Sequence, residues 1–282
     1  MDYGHELQFG TFLTPRNDPP QAPVELAQLS ERLGYDLVAI QDHPYQPRFH
    51  DTWTLLSYVA ASTSTIQLAP DVANLPLRQP AVLARAAASL DLLSGGRFNL
   101  GLGAGGFWDA IEAMGGRRLT PGQAVDAVAE AIDIIHGIWD PEDRTQLHGG
   151  ELYPVHGAKR GPVPAHRIPI WIGGYKPRMM RLTGRLADGW LPSLGYLQPA
   201  DLAAGNARLD DAATDAGRDP RDVRRLLNIS GGDGVGAITT LALEYGFSTF
   251  ISSGDDPAFM ERYAAETIPA VRDAVAAERA RR

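Results

Sequence analysis

Eight times along this 282-residue chain an apolar run of strand length gives way to a longer segment of helical period, and that rhythm constrains the fold more than any other feature. The strand-like runs fall at residues 7–13, 35–40, 66–72, 97–102, 168–172, 189–193, 223–230 and 248–252. Helical segments follow them at 23–33, 52–62, 80–93, 121–138, 177–186, 199–216, 236–245 and 257–280. The punctuation agrees: Leu26, Leu29 and Leu33 share a helical face, Gly95-Gly96 ends the third helix, and Thr120 is placed to cap the one after it. Ile168-Pro169-Ile170-Trp171-Ile172 is unbroken and β-branched, as a strand buried on both faces must be. Eight strand–helix pairs imply an α/β fold, a (β/α)8 TIM barrel, and residues 1–282 suit one such domain. The long interruption at 141–167 is too rich in Gly, Pro and His for a helix and reads as an insertion before the fifth strand, with a hairpin at Leu147-His148-Gly149-Gly150-Glu151-Leu152-Tyr153.

Composition narrows the functions. A net charge of −8 argues against a nucleic-acid partner, and the lack of cysteine removes disulfides, thiolate metal sites and thiol nucleophiles together. Residues 1–11 contain no apolar leader, and no run approaches the roughly 18 apolar residues of a membrane span, so a cytoplasmic setting without a membrane partner is expected. No His-x-His follows a strand and no G-x-S-x-G elbow occurs, so neither a metal site nor a serine nucleophile is expected.

Barrels of this kind place their reacting groups at the carboxyl ends of the strands. After the second strand come Gln41-Asp42-His43-Pro44-Tyr45 and then Phe49-His50-Asp51. His43 titrates near neutrality and is the expected acid/base, with Asp42 fixing its tautomer or meeting a ligand. The plain alternative makes them a loop pair, and Asp51 a cap for the helix at Thr52. Beyond the third strand, Asp71 and Asn74 put polar groups into an apolar run. The stretch Gly101-Leu102-Gly103-Ala104-Gly105-Gly106 matches G-x-G-x-x-G but runs into Phe107-Trp108 and Gly115-Gly116 instead of opening a helix. Gly103, Ala104 and Gly105 are therefore read as room for a flat or phosphorylated ligand, with Phe107, Trp108 and His50 as substrate contacts. After the fifth strand, Gly173-Gly174-Tyr175-Lys176-Pro177-Arg178 joins bare backbone, two cations and a helix start, which makes an anion cradle or an ordinary turn with solvated cations.

Taken together, Asp42-His43, the Leu75-Pro76-Leu77-Arg78-Gln79-Pro80 turn, residues 100–106 and 169–190, and the closing Ala265-Glu266-Thr267-Ile268-Pro269-Ala270-Val271-Arg272 resemble the bacterial luciferase-like family over nearly the whole chain. The resemblance implies the deazaflavin F420 or FMN across the barrel mouth. Asp42 would contact its ring, His43 would serve as acid/base, and a non-prolyl cis peptide at Asp71-Val72 would lie behind the ring. Gly173, Gly174, Tyr175, Lys176, Pro177 and Arg178 would hold its phosphate. Asp-His in place of the Glu-His-His of luciferases implies F420-dependent hydride transfer to or from a small organic substrate. The close alternative is an FMN-dependent monooxygenase supplied by a separate reductase. A non-catalytic ligand-binding barrel and a nicotinamide enzyme using Gly101 to Gly106 are the further alternatives. Gly106 stands where some F420 enzymes carry a glutamate, a role either absent or filled by Asp109, and Gly231-Gly232-Asp233-Gly234-Val235 is a short connection for such relatives. A homodimer is implied by the resemblance alone.

Overall fold

The computed structural model describes residues 1–143 and 145–282. In chain order it comprises β1 (Gln8–Leu13), α1 (Ala22–Arg32), β2 (Leu37–Ile40), α2 (Thr52–Ser62), β3 (Gln67–Pro70), β4 (Ala73–Asn74), α3 (Pro80–Ser94), β5 (Leu100–Gly103), α4 (Trp108–Ala113) and α5 (Pro121–Trp139). Then come β6 (Leu147–Gly149), β7 (Val155–Ala158), β8 (Ile170–Gly173), α6 (Pro177–Leu186), β9 (Gly189–Trp190), α7 (Pro199–Asp215), β10 (Arg224–Asn228), α8 (Val235–Tyr245), β11 (Thr249–Ser253), α9 (Pro257–Arg262) and α10 (Ile268–Arg279). The main sheet is parallel, in the order β3-β2-β1-β11-β10-β9-β8-β5-β4, and a parallel bridge from Leu68 to Phe98 brings β3 back to the β5 side. The result is a nearly closed barrel ringed by helices, as the alternation of the sequence implies.

Side chains alternate across the barrel wall because successive Cβ atoms point to opposite faces of a strand. In β2, Leu37 and Ala39 join Ala69, Trp171, Leu191, Leu226 and Ile251 in a small inner cluster. Val38 and Ile40 point the other way, into the large layer between strands and helices. The third strand departs from expectation. Residues 66–72 form no single run: the Asp71-Val72 peptide is cis, β3 pairs with β2 and β4 with β5, and the two residues between them lie out of either ladder. Val72 turns into the barrel, and the missing side chains around it make that possible: a Cβ on Gly103 would sit 2.6 Å from Val72 Cγ2, and one on Gly173 3.1 Å from both its methyls.

Local chemistry sets the helix ends. Asp51 caps α2 by accepting the Thr54 N–H at 2.9 Å, and Thr120 and Gln123 form a reciprocal cap at α5. Pro269 cannot donate to a carbonyl one turn back, and the last helix, expected to run unbroken from 257 to 280, widens into a π turn at Tyr263–Thr267 before it. The insertion carries the antiparallel pair β6–β7, extending past the expected hairpin. It is tied down by the α5 carboxylate of Glu130, which accepts N–H groups from Glu151, Leu152 and Tyr153, and by a 3.2 Å bond from the Tyr153 hydroxyl to the Leu75 carbonyl. Among the described residues no helix is long and apolar enough to cross a membrane.

Candidate active site

The carboxyl ends of β2, β5, β8, β9 and β10, with the break between β3 and β4, border a cavity of about 530 Å³. The β2 end supplies Asp42 and His43. Asp42 is 1 % exposed, and both its oxygens are engaged: Oδ1 accepts from Arg78 Nη2 at 2.7 Å, while Oδ2 accepts from Arg78 Nε at 3.0 Å and from the Asn74 N–H at 2.9 Å. Arg78 also reaches Asp51 at 2.7 Å, and the two carboxylates hold its pKa above the ordinary arginine value against the opposing pull of burial. Asp42 borders the cavity, with its oxygens directed at the turn that follows β4. Arg78 appeared in the sequence only as part of that turn; a fork-shaped donor after the third strand, facing acids after the second, was the signal.

His43 is half-buried, packed with its ring against Tyr45 (centroids 5.4 Å apart, planes 20° apart) and edge-on to Phe107 at 5.4 Å. Burial lowers its pKa and so favours the neutral imidazole, partly offset by the charge of Asp42. Opposite lies a polar floor. Asn228, from the end of β10, donates its amide to Asp71 Oδ1 at 3.2 Å and to Ser193 Oγ at 3.3 Å. Asp71 Oδ2, Asn74 Oδ1 and Asn228 Oδ1 are buried without a hydrogen-bond partner among the described residues. Burial pushes the Asp71 carboxyl up to about 7, with the Asn228 N–H acting in the other direction. Buried polar atoms left unpaired are costly and uncommon, so three of them in one cavity fit a ligand that brings complementary donors and acceptors. Asn228 and Ser193 were missed in the sequence; the polar residue closing Arg224-Arg225-Leu226-Leu227-Asn228 was visible at a strand's carboxyl end.

The remaining expected site residues divide. Val72, Gly103, Ala104, Gly105, Phe107, Gly173, Gly174 and Tyr175 all border the cavity. At Gly101 and Gly103, however, the space expected for a ligand is taken by the Pro70 carbonyl and Val72, whereas Gly106 does face open space. Lys176, Pro177 and Arg178 lie just outside the cavity lining. Lys176 starts α6 without a side-chain cap, its ammonium 5.1 Å from the Tyr175 ring centre, and Tyr175 stacks on Tyr196 at 6.4 Å. Arg178 turns away to Asp126 at 2.7 Å, on an outer hollow between α5, α6 and α7. Two expected substrate contacts are corrected. His50 bonds the Pro20 carbonyl through Nε2 at 3.0 Å because the chain after Phe49 folds back on the loop after β1, and Trp108 packs against the core as the first residue of α4. Asp109 pairs with Arg118 at the surface, outside the cavity lining.

The parallel barrel carries an Asp-His turn at one strand end, a third strand broken behind the cavity and an uncapped helix start beside it. The chain belongs to the luciferase-like monooxygenase family, whose model matches residues 7–230. It is 33% identical over 217 residues to the 5,10-methylenetetrahydromethanopterin reductase of Methanolobus tindarius, covering 77% of this chain and 63% of that one. It is also 33% identical over 201 residues to the phthiodiolone/phenolphthiodiolone dimycocerosates ketoreductase of Mycobacterium bovis (strain BCG / Pasteur 1173P2), covering 69% of this chain and 50% of the relative. The chain thus spans between half and just under two thirds of the length of these curated relatives. Its fold matches that of an F420-dependent secondary alcohol dehydrogenase in complex with an F420-acetone adduct, with a TM-score of 0.82 at 18% identity over 95% of this chain and 100% of the other.

Proposed function

We propose that the protein is an F420-dependent oxidoreductase that moves a hydride between the deazaflavin and a small organic substrate. The observation that carries this reading is the pairing of a half-buried His43 with a floor of unpartnered oxygens on Asp71, Asn74 and Asn228 in one cavity. A flat heterocycle with a polar edge suits that floor. The two reductase relatives and the F420-bound barrel of like fold support the same chemistry. When bound, the deazaflavin supplies a two-electron hydride donor or acceptor. His43 takes or gives the accompanying proton at an imidazole nitrogen, while the adjacent Asp42, paired with Arg78, favours the imidazolium when it forms. Tyr45 and Phe107 pack on the imidazole and fix its orientation. Gly174, Tyr175 and the uncapped start of α6 at Lys176 receive a phosphate, with Arg178 held back by Asp126.

The second reading is an FMN-dependent monooxygenase fed by a separate reductase. It is favoured by the description of the matching family model and by a phosphate cradle that does not discriminate the two cofactors. Fluorescence titration of the purified protein with F420 and with FMN, at low and high salt, separates them. F420 binding that weakens with salt supports hydride transfer, FMN binding alone selects oxygenation, and binding of neither leaves a non-catalytic barrel. A cytoplasmic homodimer is the proposed working form. Its contact face is the outer surface of α2 and α3, where Tyr58, Val82, Leu92 and Leu93 are exposed on helices whose exposed charge is limited to Arg85.

A further inference from the structure

The break in the third strand leaves an acid on the cavity floor with one of its two oxygens unpaired. Asp71 Oδ1 accepts the Asn228 amide, and Oδ2 is buried without a partner. Ionised, it would be a buried charge with no cation beside it; neutral, it has an O–H with no acceptor. Either state is incomplete without a ligand. Two more orphans share the cavity, Asn74 Oδ1 and Asn228 Oδ1, and both can only accept.

We propose that Asp71 is a ligand-binding acid: its neutral carboxyl donates the Oδ2 proton to a ligand carbonyl, while the orphan amide oxygens of Asn74 and Asn228 accept from ligand N–H groups. The complementary ligand edge is that of a cyclic imide or lactam, and the inference rests on the proposed function in taking that edge to be the cofactor's. Asp71 is thereby a specificity residue. It rewards a carbonyl at that position and, once ionised, repels one.

The other titratable groups bordering the cavity are Asp42, His43 and Tyr45 from the β2 end, Tyr175 from the β8 end and Tyr196 beyond β9. Asp42 is neutralised by Arg78, burial moves the His43 pKa down, and burial moves the Tyr45 pKa up. Burial pushes the Asp71 carboxyl up to about 7 and moves His43 the other way.

Two measurements test this. Infrared difference spectra of the ligand-free protein against Asp71→Asn report the acid directly. A protonated-carboxyl band is expected near pH 6, lost above about pH 8 and missing from the variant. No such band at pH 6 overturns the proposal. F420 and FMN titrations across the same range report its use. In the wild type the affinity of whichever cofactor binds falls about tenfold per pH unit above the transition, whereas Asp71→Asn, which keeps an N–H donor, binds alike at all pH values. Wild-type binding that is equally flat overturns this inference and leaves the proposed function standing. Binding of neither cofactor near pH 6 overturns both.

Discussion

Arg78 holds two acids from another element, and what it does for Asp42 is settled by geometry more than by charge. Its fork spans both Asp42 oxygens, while Asp51 takes the far side of Nη2. Arg78→Ala leaves Asp42 buried with one backbone N–H, and a loss of about 3–5 kcal/mol is expected from urea unfolding. Arg78→Lys recovers part of it, since an ammonium cannot bridge both oxygens. His43 sits one residue on. If it is the base, only its neutral form accepts a proton, and because burial has lowered its pKa below 6.5, kcat/KM must fall only as pH drops below that value. His43→Ala should cut kcat by about 10²–10⁴-fold with the melting temperature little changed, a split that stopped-flow and calorimetry read separately. His43 was legible in the sequence because histidine is scarce and strand ends are few. Asn228 was not, since an amide closing an apolar strand looks like any other end until the fold brings it across the barrel to Asp71.

Among elements, the third strand shows where sequence patterning stops. Residues 66–72 read as one strand because hydrophobicity is blind to which neighbour a residue pairs with; the structure ends the ladder with β2 at Pro70, leaves Asp71 and Val72 out, and starts the ladder with β5 at Ala73. The glycines of β5 and β8 were legible as openings but not as openings for what. Gly103 accommodates Val72, whereas Gly106 faces free space. Gly103→Ala is therefore expected to destabilise by about 1–3 kcal/mol through overpacking, and Gly106→Ala to leave the melting temperature within a degree or two. Equal effects in thermal unfolding would mean that Val72 does not occupy the space beside β5. Short elements such as α4 escaped the sequence because six residues carry too little period to distinguish them from loop.

For the molecule as a whole, the eightfold rhythm was legible from end to end, since each repeat needs only a buried run and an amphipathic one. What repetition does not encode is which outer face stays free. With a net charge of −8, most of the surface repels a second copy of itself. The α2–α3 face, with Leu93 86% exposed, does not. Leu93→Glu should shift the protein to monomer in sedimentation velocity without lowering its melting temperature; a wild type that sediments as a monomer would remove this face from consideration.

The divided third strand bears on more than the cavity floor. A parallel bridge between Leu68 and Phe98 joins the two arcs of the barrel beneath it, while above it the wall consists of Asp71, Val72 and whatever lies on them. A ligand in that place acts as the missing stave of a cask. Amide exchange in β3 and β4 should then slow on cofactor binding more than in β1 or β11 across the ring, making the cofactor part of the wall as well as its cargo.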